Sequence, residues 1–321
     1  MIFFKNQLIN TFFNTNIGFN LLKNRFNNVI IMYHGVTEKS CTVNKRHTLK
    51  KDFINHLIFL KKFTNIITLD QFFNQNFEKD KLNVAITFDD GYLNNFTIAK
   101  PILEKFQIPA TFFVTGINET EENFLWADFV DFLKNTSIDN IELNEFRFIK
   151  NEKDEFLSNK TLSIHDYIKK IDASYNTKLK LFNSVSEKIK SDFYNSDPQF
   201  WQLMSDENIK SSSNSKYISI QSHSFFHNNL GSIPHTDAIK EIQLSKKYLE
   251  NLTQKQIDTI GFPDGSYTRE IINSSIDFGV TKFLAAEGFL FESDQHDSRI
   301  LDRKGMYNVG SFKNQIFNAL S

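Results

Sequence analysis

Cysteine is almost absent: Cys41 is the only one in 321 residues. One thiol excludes an intramolecular disulfide framework and any cysteine cluster for zinc, and it suits a reducing compartment in which Cys41 is inert. An excess of charge of either sign is also missing, since 37 Lys and Arg face 38 Asp and Glu for a net charge of -1. That balance excludes the strongly basic surface of a nucleic-acid-binding protein. Long apolar runs are missing too. Residues 1–28 contain Phe3, Phe4, Leu8, Ile9, Phe12, Phe13, Phe19, Leu21 and Leu22, but polar residues interrupt them every few positions. The stretch falls short of the roughly 20 apolar residues of a membrane span, and it lacks the compact apolar block and cleavage site of a secretion signal. It is expected to be an amphipathic helical segment packed on the body. Its Phe/Leu face, flanked by Lys5, Lys23 and Arg25, also suits peripheral membrane contact. These absences together lead to the expectation of a cytoplasmic protein.

What is present is a recurring pattern of short apolar runs that end in polar tips. Val84 to Phe88 is β-branched and apolar throughout, as a strand buried on both faces would be, and it ends in Asp89-Asp90-Gly91. Two adjacent carboxylates repel each other unless a positive group, most economically a metal ion, lies beside them. An Asp-Asp-Gly turn that merely closes a strand is the plain alternative. Val29 to Tyr33 is a similar run and delivers His34. Ile108 to Val114, Lys216 to Gln221, Ile257 to Phe262 and Val280 to Ala285 continue the series. Between them lie helical spacings over Asp52–Phe63, Asn94–Phe106, Thr236–Leu252 and Arg269–Phe278. Ile66 to Leu69 adds a short strand, with Asp70 capping a brief helix through Phe73. At least six strand–helix alternations make a parallel α/β protein, and the length allows a barrel with an insertion.

The alternation lapses between about residues 115 and 214, where Lys, Asn, Asp, Glu and Ser dominate. This reads as a mainly helical insertion on the loop face, holding Trp126 and Trp201, with flexible stretches at Asn151–Asn159 and Ser211–Ser215. Beyond it, the run ending at Gln221 leads straight into Ser222-His223-Ser224-Phe225-Phe226-His227. Histidines four apart reach one ion from a helical turn or a loop of similar shape. Neutral imidazole suits Zn²⁺, Fe²⁺, Ni²⁺ and Co²⁺, and one carboxylate would complete a three-ligand set. Both the histidine pair and Asp89-Asp90 follow strands, and in a parallel sheet both ends face the same side.

Thr87-Phe88-Asp89-Asp90-Gly91-Tyr92, His223-Ser224-Phe225-Phe226-His227 and Phe262-Pro263-Asp264-Gly265 resemble, in order and separation, the first three motifs of the polysaccharide deacetylase (NodB-homology, carbohydrate esterase) superfamily. The resemblance covers about residues 29–310. It implies an irregular (β/α) barrel of seven or eight strands over 29–321, interrupted by the insertion. It also implies a metal-dependent hydrolase that removes an N-acetyl group from a sugar in a glycan or glycan precursor. Carried over by position, Asp90, His223 and His227 would be the metal ligands, with zinc first in line, and Asp89 the general base. A bound divalent metal lowers the pKa of water to about 7, which makes hydroxide available at neutral pH. The N–H of Asp264, after Pro263, would stabilise the oxyanion, and Tyr92 closes the first motif at the substrate side.

The third motif departs from the family pattern, with Asp264 where an aromatic is usual and Gly261-Phe262 where an arginine often precedes the proline. The last motif, a strand bearing the general acid, has no match in Ser298-Arg299-Ile300-Leu301-Asp302-Arg303. Met32-Tyr33-His34-Gly35-Val36 instead resembles the surface-polysaccharide branch, in which a histidine at this place supplies the acid, with a structural hydrogen-bonding role for His34 as the alternative. Trp126, in Phe124-Leu125-Trp126-Ala127-Asp128, resembles an aromatic segment of that branch and would stack on a sugar or be buried in the insertion. Two alternatives share these residues: a small-amide or N-formyl hydrolase, and a non-catalytic glycan-binding protein.

Overall fold

A computed structural model describes residues 27–40, 46–308 and 310–320. All but the last two residues of the expected N-terminal segment lie outside these ranges, as does Cys41. The six long apolar runs are strands: β1 (Val29–Tyr33), β2 (Asn83–Phe88), β3 (Ala110–Val114), β4 (Ile218–Ser222), β5 (Thr259–Gly261) and β6 (Lys282–Leu284). Two very short strands follow, β7 (Ile300–Leu301) and β8 (Lys304–Gly305). The sheet runs β7-β6-β5-β4-β3-β2-β1-β8, parallel throughout, and Asn65–Ile66 pairs with the start of β2. β7 and β8 occupy opposite edges of this sheet, yet only Asp302 and Arg303 separate them in the chain. The segment from Ile300 to Gly305 therefore crosses from one edge to the other and curls the sheet into a distorted (β/α) barrel.

The period-two alternation of each strand decides what faces inward. Ile31, Ile86, Phe112 and Ile220 pack outward in one cluster with Phe53, Leu57 and Leu60 of the helix Lys50–Phe63. Ile30, Ala85, Phe113 and Leu284 form a separate inner cluster. Continuing the inward parity one residue past the ends of β1 and β2 brings His34 and Asp89 to the carboxyl mouth of the barrel, and His223 follows from β4 by the same count. Further helices cover the outside at Lys100–Phe106, His235–Thr253 and Arg269–Ile276. Pro101 has no N–H to give its preceding turn, and a π-turn over Asn95–Ala99 leads into that helix. The helix Leu69–Phe73 is capped by Thr68, in a reciprocal box with Gln71, and not by Asp70. No helix among the described residues is long and apolar enough to cross a membrane.

The insertion has its own core of Phe129, Phe148, Phe156, Phe182, Phe193 and Trp201. Helices predominate, at Trp126–Lys134, Tyr175–Asn183, Glu187–Tyr194 and Asp206–Ser213. Beside them stands a four-stranded antiparallel sheet, Asn140–Leu143, Phe146–Lys150, Phe156–Ser158 and Leu162–Ser163, that the sequence reading did not contain. The stretches expected to be flexible are structured in part. Phe156–Ser158 is one of these strands, and Ser212 and Ser213 are buried at a helix end.

His56 tests the packing of the outer layer. It is fully buried with its Nδ1 3.2 Å from the Tyr33 hydroxyl, and burial pushes its pKa down from 6.5 to about 3. The folded-state value is depressed, so the neutral ring's contribution is complete above the unfolded value and is lost as pH falls through it. Unfolding by urea at about pH 7.5 and about pH 5 is expected to show a stability loss from which His56→Gln removes about 2 kcal/mol.

Candidate metal-centred active site

β2 ends abruptly because Asp90 and Gly91 both take left-handed backbone angles, φ 74 and 77. Aspartate tolerates that conformation, whereas at Gly91 a side chain would also strike Val114 Cγ1 at 2.9 Å. The turn is pinned from two sides. Asp89 N–H donates to Tyr33 O at 2.9 Å, and Met204 N–H, at the end of the insertion, donates to Gly91 O at 2.8 Å. Asp90 then faces the His223–His227 loop. Its Oδ1 lies 3.3 Å from His223 Nε2 and 3.2 Å from His227 Nε2.

The chemistry of this donor set fits a divalent cation. His223 Nδ1 is 2.7 Å from Gly261 O. A carbonyl can only accept, so the ring proton is on Nδ1 and the Nε2 lone pair points at the Asp90 carboxylate. Lone pairs converging on an anionic oxygen repel unless a proton or a cation lies among them, and one ligand atom from each of Asp90, His223 and His227 falls within 4.8 Å of the others. Contacts with the two histidines outweigh burial and hold the Asp90 carboxyl well below the usual range.

Asp89 is treated differently. Arg303, fully buried between β7 and β8, donates from Nη1 to Asp89 Oδ1 at 2.5 Å and from Nε to Ala285 O at 3.1 Å. Its guanidinium carbon lies 5.3 Å from the Phe113 ring centre. At Gly261 a Cβ would stand 3.3 Å from both terminal nitrogens of Arg303, so the glycine leaves the guanidinium room. Burial opposes ionisation of Asp89, but Arg303 outweighs it and keeps the carboxyl ionised below its ordinary pKa. Oδ2, the oxygen facing away from this bond, is 3.9 Å from His223 Nε2. Arg303, from the barrel-closing segment, thus lies over Gly261, ahead of the third motif, where the family pattern often carries an arginine.

These groups surround a cavity of about 310 Å³. His34, Trp126 and Asp264 line it, together with Arg46, Lys169, Glu287 and Tyr307, which sequence reasoning did not single out. Burial pushes the His34 ring towards neutrality, against the pull of Asp90 and Asp89. Asp264 adopts φ 54, its N–H makes no hydrogen bond among the described residues, and its carboxylate pairs with Lys169 of the insertion. Pro263 is buried behind it. Tyr92 corrects the expectation of substrate contact. It is fully buried with its hydroxyl 2.9 and 3.1 Å from the two oxygens of Asp128, which is also paired with Arg46. Burial dominates there and pushes the Asp128 carboxyl up to about 7 even beside Arg46.

The histidine loop is clamped from outside. Ser224 and His227 take left-handed angles, φ 61 and 52, which a free loop would relax. Glu241 accepts from Phe226 N–H at 2.9 Å and from the Asn228 amide at 2.7 Å. Lys178, buried in the insertion, donates to Phe226 O, His227 O and Asn228 Oδ1 at 3.0, 2.7 and 2.7 Å.

With this geometry in place, comparison with known proteins is decisive. Residues 77–283 match the sequence profile described as polysaccharide deacetylase, well over half of the chain. The chain belongs to the polysaccharide deacetylase family. The Bacillus subtilis (strain 168) protein YxkH, provisionally named a polysaccharide deacetylase, is 27% identical over 132 residues. That match spans 36% of this chain and 44% of YxkH. Among solved structures, Streptococcus pyogenes deacetylase PplD in complex with acetate aligns with TM-score 0.54 at 15% identity, over 91% of this chain and 97% of that one. IcaB from Ammonifex degensii aligns with TM-score 0.56 at 14% identity, over 92% and 98%. At such identities the likeness establishes the fold, and it is the distorted barrel described above.

The clamp leads to a measurable expectation. Replacing Lys178 by Met frees two carbonyls of a strained loop, so zinc affinity measured by chelator competition is expected to fall about 10–100-fold, as when outer-shell partners are lost.

Proposed function

We propose that this deacetylase-family protein hydrolyses the N-acetyl group of a sugar in a glycan or glycan precursor, of the surface-polysaccharide kind. The observation that supports it most is the division of labour between neighbouring aspartates: Asp90 faces two histidines, whereas Asp89 is turned onto Arg303 at the wall of the same cavity. Asp90, His223 and His227 would hold the metal, zinc by preference, with iron, nickel or cobalt also suited to the set. When bound, such a cation supplies Lewis acidity to the acetyl carbonyl and lowers the pKa of water towards ~7.

The rest is done by the chain. Asp89, kept ionised by Arg303, takes the proton of the attacking water on Oδ2. As the water oxygen bonds to the carbonyl carbon, the C=O pair moves onto oxygen and the unpartnered N–H of Asp264 donates to it. The carbon–nitrogen bond then breaks. The protonated form of His34, which burial disfavours and the pull of Asp90 and Asp89 supports, gives the amine its proton, and acetate and the free amino sugar leave. Trp126 offers an apolar wall for the sugar ring, and burial around Asp89 and Asp90 strengthens each of these contacts.

Acetate release from a panel of N-acetyl sugars tests the reading. Asp89→Asn is expected to lower kcat by about 10²–10⁴, the share of a positioned general base. Metal-loaded wild type that releases no acetate from any of them, and no formate from their N-formyl analogues, would leave a glycan-binding protein instead. His34→Ala should lower kcat by a similar ~10²-fold or more at unchanged metal content, and an unaltered rate removes His34 from the mechanism.

A further inference from the structure

We propose that Lys169 is a positioning residue, whose ammonium neutralises the Asp264 side chain so that the N–H of the same residue can serve a developing oxyanion; this rests on the deacetylase reading above. Asp264 carries two opposed groups into one corner of the cavity. Its N–H is a donor without a partner among the described residues, and its side chain, 24% exposed on a residue that is exposed overall, is an anion. An unneutralised carboxylate that close to a carbonyl oxygen gaining negative charge opposes the transition state. At an effective dielectric of about 20 and a separation of about 6 Å, the repulsion amounts to roughly a hundredfold in rate.

The surroundings offer few cations for this task. Lys178 spends all three donors on Phe226 O, His227 O and Asn228 Oδ1. His227 Nε2 is directed at Asp90 Oδ1, 3.2 Å away. Arg303 is committed to Asp89 and Ala285 O. Lys169, 95 residues earlier on the turn Tyr167–Ile171 of the insertion, is the cation in contact with Asp264, and it lines the same cavity. In agreement, Lys169 outweighs burial in holding the Asp264 carboxyl below its ordinary pKa, with His227 and Lys178 adding to the effect. The insertion therefore contributes to the chemistry through this ammonium as well as shaping the cavity.

The reaction is the one already written: water oxygen bonds to the acetyl carbon, the carbonyl pair moves to oxygen beside the Asp264 N–H, and the carbon–nitrogen bond breaks with a proton passing to the amine. The test uses wild type, Lys169→Met and the double variant Lys169→Met/Asp264→Asn. Each is measured twice, as acetate affinity of the zinc-loaded protein by titration calorimetry and as kcat and KM for acetate release. Lys169→Met is expected to weaken acetate binding and kcat by about 30–100-fold, with KM changed far less. Removing the stranded charge in the double variant should recover at least about tenfold of both losses. A double variant as impaired as Lys169→Met, or a Lys169→Met protein with unaltered kcat and acetate affinity, overturns the proposal, since a purely structural lysine gives no rescue on loss of a second charge. Wild type that does not bind acetate overturns it as well. If acetate binding follows the expected pattern while no sugar is turned over, the deacetylase reading fails and the charge arrangement stands. If sugars are turned over without the pattern, this inference alone fails.

Discussion

The structure turns on the buried ion pair between Arg303 and Asp89, residues 214 positions apart in the chain. One interaction completes the barrel wall and fixes the state of the carboxylate beside the metal-type ligands. Arg303 reaches the interior because the short Ile300–Gly305 segment joins the two edges of the sheet, and glycine at position 261 leaves its guanidinium room that a side chain there would crowd. A buried charge without its partner costs about 3–5 kcal/mol, so the pair makes closure of the barrel and ionisation of Asp89 mutually dependent. Adjacent aspartates would otherwise compete for the same cation. The guanidinium separates them, leaving one to the histidines and the other with an unengaged oxygen.

The clustering of Asp90 with His223 and His227 was legible in the sequence for a physical reason. Asp89-Asp90 follows an apolar, β-branched strand and His223 an alternating one, and parallel strands deliver their tips to one mouth. The same parity argument places His34. Arg303 had no such signal: β7 and β8 are two residues each, too short for any periodicity, and the segment reads as a charged loop. Lys169 and Lys178 were equally illegible, because they belong to an Asn- and Lys-rich insertion and their contacts with the site are long-range. Its antiparallel sheet escaped notice for a related reason. Asn140–Leu143 alternates exposed and buried residues, but over only four positions. Tyr92 was misread because adjacency to the motif suggested contact with substrate, whereas its side chain is directed to Asp128, away from the cavity.

The insertion is therefore part of the site. It supplies Met204 to the Asp-Asp-Gly turn, Lys178 to the histidine loop, Lys169 to Asp264 and Trp126 to the cavity wall. Three left-handed residues of the metal-type centre, Asp90, His227 and Asp264, each bear a bond from the insertion or adjoin a residue that does. Strained backbone persists where the surroundings over-determine it, and here part of the over-determination comes from a segment outside the barrel, alongside Glu241 and Tyr33 of the barrel itself. The barrel strands set the positions of the reactive groups, and the insertion sets their conformations.

The asymmetry of the two aspartates is the central claim, and metal stoichiometry addresses it directly. Asp89→Asn and Asp90→Asn should be purified in parallel and their bound divalent metal measured by elemental analysis, with circular dichroism confirming that both are folded. The account predicts that the Asp89 variant retains metal at the wild-type ratio while the Asp90 variant is largely depleted. Equal depletion in both, or metal lost from the Asp89 variant alone, would contradict it.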